Sequence, residues 1–164
     1  HRLVIESFES DQSIEDTRLW LDWTVRNYRE LAKLYQPPYG DFAIVQKETN
    51  AYIGSIGLVQ SAVPWGVFDE TTSEDRKFQI TPEFGLYWGI LPEHWGKGYA
   101  VEAAQRFIRH HFENLNPRRL VATTEHDNVK SQRVMEKLGM TLMRNPLEDP
   151  FWFNVVGVLE NTPN

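Results

Sequence analysis

Trp95-Gly96-Lys97-Gly98-Tyr99-Ala100 is the stretch on which the reading of this chain turns. It lies between a β-prone run, Phe84 to Ile90, closed by Pro92, and residues 98–112, where Val101, Ala104, Phe107, Ile108 and Phe112 repeat on one helical face. A strand, a glycine turn and a helix start together present backbone N–H groups with no intrahelical partner at the positive end of a helix, which suits a phosphate or pyrophosphate. Gly96 and Gly98 let the backbone curl and approach an anion without side-chain collision, and Lys97 adds positive charge. By itself G-x-G describes an ordinary strand-to-helix turn equally well. A dinucleotide fingerprint would need glycine at position 101, where Val101 stands, and the chain has no G-K-[ST] of a P-loop.

Working outward, Leu3 to Phe8 reads as a short strand, and residues 14–35 carry Trp20, Trp23, Leu31 and Leu34 at near-helical spacing up to Pro37-Pro38. Asp41 to Gln46 and Tyr52 to Val59 flank a Glu48-Thr49-Asn50 turn and read as a β-hairpin. Residues 60–82 are the least regular, with Pro64-Trp65-Gly66 and the polar, acidic run Asp69 to Asp75; long connections of this kind are mobile or functional. Past the glycine turn, Leu120 to Thr124 reads as a strand and Asn128 to Leu138 as a helix, with Asp127 as a cap and Gly139 as a left-handed stop. Thr141 to Met143 and Trp152 to Leu159 complete the set as strands. The order β, α, ββ, β, α, β, α, β, β implies a mixed α/β sheet with helices on its faces.

The 164 residues, 41% hydrophobic, fit one domain spanning 1–164. Seventeen basic against 23 acidic residues give a net charge of −6, so no global positive field holds a nucleic-acid backbone. The absence of cysteine excludes thiol catalysis and cysteine-based metal sites, and agrees with a reducing compartment. No apolar run approaches the roughly 18 residues of a spanning helix. A cytoplasmic protein without membrane or nucleic-acid partners is the expectation; oligomeric state is not legible.

Two segments carry a family resemblance. Pro92-Glu93-His94-Trp95-Gly96-Lys97-Gly98-Tyr99-Ala100-Val101-Glu102-Ala103 resembles the acetyl-CoA signature of GCN5-related N-acetyltransferases (GNAT), especially the branch with ribosomal-protein alanine N-acetyltransferases. Asn128 to Met140, with Ser131, Glu136, Lys137, Leu138 and Gly139, resembles that branch's second signature, and Arg2-Leu3-Val4-Ile5 its first strand. The resemblance implies an α+β fold: a mixed, mostly antiparallel twisted sheet flanked by helices, with a splayed central strand pair. It also implies an acetyl-CoA-dependent N-acetyltransferase acting on a primary amine, a protein N-terminus or a small amine, by direct attack in a ternary complex. The backbone of Trp95, Gly96, Lys97, Gly98 and Tyr99 would then bind pyrophosphate, Ile90 the pantetheine amides, and Asn128 the acetyl and sulfur end. Glu93 departs from the usual glutamine or arginine three residues before the first glycine.

Glu83 is the expected general base, because the family often has a glutamate on that strand, although its distance from Gly96 in sequence shifts the register. Ser131, one turn into its helix, would donate to the departing thiolate, and an ordered water on backbone carbonyls could replace any side-chain base. Trp65, Tyr87 and Trp88 are the expected acceptor-pocket residues. His94 reads as a solvated edge histidine near the glycine turn and His126 as a loop histidine near the expected acetyl group, while His110-His111 lack the spacing and carboxylate partners of a metal site; no metal is expected. A non-catalytic acyl-CoA-binding or interaction module with the same fold is the alternative.

Overall fold

In a computed structural model, which describes residues 11–36, 39–147 and 149–162 together with Leu3 and Glu6, Ser13 opens the first long helix, α1 (Ile14–Lys33). Ser13 Oγ accepts from Asp16 N at 3.1 Å while Asp16 Oδ2 accepts from Ser13 N at 3.0 Å, a reciprocal cap that satisfies two otherwise orphaned donors. Tyr35, at φ 57°, turns the chain out of the helix before the expected stop at Pro37-Pro38, which lies outside the described residues. The expected strand Leu3 to Phe8 also lies outside them, except for Leu3 and Glu6, which are helical rather than extended. A short apolar run without strict alternation does not distinguish the two.

The hairpin forms as the sequence predicts, with β1 (Asp41–Gln46) antiparallel to β2 (Ala51–Val63) and a register shift between Ile44 and Val45. β2 runs four residues past the expected Val59, into the irregular segment, where a 3-10 turn over Trp65–Phe68 follows. β3 (Thr81–Ile90) starts before Phe84, so Pro82 and Glu83 belong to the strand. Proline is tolerated near a strand start, where a missing donor costs little. After β3 come α2 (Tyr99–Asn114), β4 (Arg119–Thr124), α3 (Val129–Lys137), β5 (Thr141–Arg144) and β6 (Val155–Glu160). Trp152, expected to begin the last strand, instead lies in a 3-10 turn, Phe151–Phe153, which directs Phe153 fully inside.

The sheet order is β1-β2-β3-β4-β6-β5. β6 pairs antiparallel with both β4 and β5, whereas β3 and β4 are parallel and, among the described residues, share the single pair Gly85↔Val121. The chain divides into two compact units, His1–Leu58 with Tyr87–Ile108 and Val59–Leu86 with Arg109–Asn164. In the first unit Ile53, Leu58, Ile90 and Leu91 are buried, as are Ala104, Phe107 and Ile108 on one face of α2. In the second, Val63, Val67, Val121, Phe153 and Val156 form a closed cluster against which Trp65 and Phe68 pack. Among the described residues no helix is long and apolar enough to cross a membrane.

Candidate functional site

The glycine turn belongs to the first unit. Pro92–His94 makes a 3-10 turn in which His94 N donates to Leu91 O at 2.9 Å and Trp95 N to Pro92 O at 3.1 Å. Gly96 and Gly98 follow at φ +73° and +86°, a region that costs residues with a Cβ about 1–2 kcal/mol. A Cβ added at either position would meet nothing within 4 Å among the described residues, so this face of the turn is open. The first α-helical bond runs from Glu102 N to Gly98 O at 3.0 Å. Hence the N–H groups of Gly96 to Val101 have no acceptor among the described residues, at the positive end of a helix of 16 residues. Exposed donors on an open, left-handed glycine turn fit a pyrophosphate.

Neighbouring side chains brace the turn. Lys97 Nζ donates to Glu93 O at 2.9 Å, so the lysine ties the loop together while leaving its charge beside it. The main chain at Glu93 thus enters the turn whatever its carboxylate does. Trp95 Nε1 donates to Ile90 O at 2.6 Å, which fastens the end of β3 to the turn. The Tyr99 hydroxyl accepts from Gln46 Nε2 at 3.4 Å, and its ring faces His94 edgewise at 6.1 Å.

Glu83 and Trp65, both in the second unit, come together around a residue the sequence reading missed. Arg119, the first residue of β4, donates to Glu83 through Nε, at 3.1 Å to each carboxylate oxygen, and through an Nη group; its guanidinium lies 4.4 Å from the centre of the Trp65 ring. Trp65 Nε1 donates to Glu83 Oε1 at 2.8 Å. The Glu83 side chain is one-tenth exposed. Burial pushes its carboxyl up, but hydrogen bonds from Arg119 and Trp65, with the charges of Arg119 and Arg118, outweigh that and hold it below the ordinary value. No local pattern around Pro117-Arg118-Arg119 announces this pairing; it exists because β3 and β4 lie side by side at Gly85.

Asn128, rather than the expected Asp127, caps α3: its Oδ1 accepts from Ser131 N at 3.1 Å. An asparagine three residues ahead of the donor it satisfies makes the bond that Asp127, one residue further back, does not. Asn128 Nδ2 and the Ser131 hydroxyl keep no partner among the described residues. Buried Gln132, also missed, donates through Nε2 to Glu125 O at 3.2 Å and His126 O at 2.9 Å, and accepts from Arg144 at 3.1 Å. It clamps the loop that leads into α3, in which His126 is exposed. We expect Gln132→Leu, which removes both bonds to the loop and the acceptor for Arg144, to lower stability by about 1–3 kcal/mol in urea unfolding.

Tyr87 and Trp88 are half-buried neighbours on β3, and the Tyr87 hydroxyl donates to Asp41 Oδ1 in the first unit.

Residues 2–141 match the family described as the acetyltransferase (GNAT) domain. The uncharacterized N-acetyltransferase YnaD of Bacillus subtilis is 43% identical over 99 residues, 60% of this chain and 48% of that protein. The chain spans about half the length of the curated relatives it matches. Among solved structures, an acetyltransferase from Agrobacterium tumefaciens has a TM-score of 0.66 at 25% identity, covering 95% of this chain and 77% of that one. A ribosomal-protein alanine acetyltransferase from Vibrio fischeri shares the fold, with a TM-score of 0.55 at 20% identity over 82% of this chain and 68% of its own.

Proposed function

Since the chain belongs to the GNAT acetyltransferase family, we propose that it is an acetyl-CoA-dependent N-acetyltransferase that modifies a primary amine by direct attack. The single observation behind this reading is the open turn at Gly96 and Gly98, whose unpartnered N–H groups suit a pyrophosphate. Acetyl-CoA, when bound, supplies an activated thioester. The chain's own residues hold and orient it: the backbone N–H groups from Gly96 to Tyr99 take the pyrophosphate, Trp95 being excluded from the expected set because its N–H already donates to Pro92 O, Lys97 adds charge, and the backbone at Ile90 receives the pantetheine arm. Asn128 and Ser131 belong to the second unit, and their resemblance to the family's second signature assigns Asn128 to cofactor binding and the Ser131 hydroxyl to proton donation to the departing thiolate.

The attacking amine must be neutral. Deprotonation at pH 7 costs roughly 4–5 kcal/mol for a lysine-type amine and about 1 kcal/mol for an N-terminal amine. Glu83 is a weak proton acceptor while Arg119 and Trp65 hold it, so a base role requires it to leave that cluster. We therefore assign it a positioning role on β3, with a water on backbone carbonyls as the base. Trp65 is assigned to the same cluster, and Tyr87 and Trp88 to the acceptor side.

Incubation with acetyl-CoA and a panel of amines and peptides, read by free thiol and by acceptor mass, tests the reading. Thiol release with one acceptor gaining an acetyl group is expected. Saturable acetyl-CoA binding without release across the panel would favour a binding module. Ser131→Ala is expected to lower kcat about tenfold with unchanged acetyl-CoA affinity; an unchanged kcat removes the serine from the chemistry.

A further inference from the structure

Two half-buried carboxylates stand out, and they differ in one respect. Glu83 already holds its cation, Arg119. Asp41 at the start of β1 does not: among the described residues no lysine, arginine or histidine forms an ion pair with it. Both its oxygens are nonetheless fixed, Oδ2 by Trp20 Nε1 at 2.6 Å and Oδ1 by the Tyr87 hydroxyl.

The surroundings are aromatic. Burial pushes the Tyr87 hydroxyl far up, and the hydrogen bond to Asp41 and its charge push it further, so it stays a donor. Burial, then the same Asp41 charge, raises Tyr28 as well, so a second ring lies within reach of the carboxylate's field. Trp20 packs against Trp23 with ring centres 5.0 Å apart, and the two side chains are 44% and 52% exposed. Neutral donors orient a carboxylate without cancelling its charge, and indole and phenol faces attract cations. A positively charged nitrogen on an apolar stem is the ligand that completes such a set.

We propose that Asp41, held by Trp20 and Tyr87 with Tyr28 nearby, anchors an ammonium group of the acceptor other than the attacking nitrogen, which makes the substrate a cationic alkylamine with a second amine rather than a neutral or acidic compound. The assignment rests on the transferase reading for its role, but binding of the amine is measurable without any acetyl transfer. Asp41 would be a specificity residue, whose loss raises KM before it lowers kcat.

Calorimetric titration of the protein with 1,4-diaminobutane and with 1,4-butanediol at neutral pH separates charge from shape and needs no variant. Saturable diamine binding, with the diol at least tenfold weaker, is expected. Asp41→Asn should weaken the diamine at least tenfold and leave acetyl-CoA affinity within twofold. Trp20→Leu, at an exposed position that folding tolerates, should weaken the diamine several-fold. Diol binding equal to diamine, no saturable diamine binding, or full diamine affinity in both folded variants overturns the anchor. Failure to bind acetyl-CoA, by contrast, would sink the transferase reading and leave this result standing.

Discussion

Gly98→Val is expected to raise the Kd for acetyl-CoA at least a hundredfold while the chain still folds. Gly98 sits at φ +86°, where a β-branched residue is strained by about 1–3 kcal/mol. Among the described residues nothing lies within 4 Å of an added Cβ, so the substitution makes no clash with them, and its branches project into the space an anion would occupy. Relief of strain would also turn the adjacent N–H groups away from that space. Gly139→Val is the control: Gly139 has φ +79°, an equally open Cβ position and a place just past α3, where Met140 N closes on Met135 O at 3.0 Å. Both variants should lose a few degrees in thermal midpoint, about 2–4 °C per kcal/mol in a domain of this size. Only the first should lose the ligand. Equal acetyl-CoA affinity by calorimetry in folded Gly98→Val and wild type would remove the turn from the cofactor site.

Glu83→Gln is expected to cost about 2–3 kcal/mol of stability at neutral pH, because it leaves the largely buried Arg119 guanidinium without its charged partner. Glu160, at 3.6 Å and about half exposed, compensates little. The effect has a pH signature. Glu83 is held below its ordinary value of 4.5, so its contribution is complete above that value and is lost as pH falls through the lower folded-state value. Wild type should therefore approach the variant's stability in acid, with the difference largest above pH 4.5. Urea midpoints across that range measure it, and a constant difference down to acid pH would contradict the ion-pair account. The same variant separates catalytic readings: a general base predicts a loss in kcat of about a hundredfold or more, whereas a positioning role predicts less than about tenfold and recovery on lowering the temperature.

The parts of the protein legible in the sequence were those with a local cause. The glycine turn at Gly96 and Gly98, the apolar face of α2, the hairpin around Glu48-Thr49-Asn50 and the left-handed stop at Gly139 each arise from residues within a turn or two of one another. Where several residues compete for one role, local reading slipped: Asp127 and Asn128 both suit a cap, and hydrogen-bond geometry selects Asn128. Trp152 looked like strand because its neighbours are apolar, yet the pull of Phe153 into the second unit's core folds it into a 3-10 turn.

The charged constellations were not legible at all. Arg119 is 36 residues from Glu83, and Tyr87 is 46 from Asp41, so no spacing rule connects them. Adjacent residues alone establish the turn of open backbone donors at the start of α2, since helix starts and glycine dihedrals are properties of a few neighbouring positions. Which carboxylate is paired with a cation and which is held by neutral donors follows from the fold, because the Coulomb energy of a side chain depends on distances that strand pairing sets and chain order does not record.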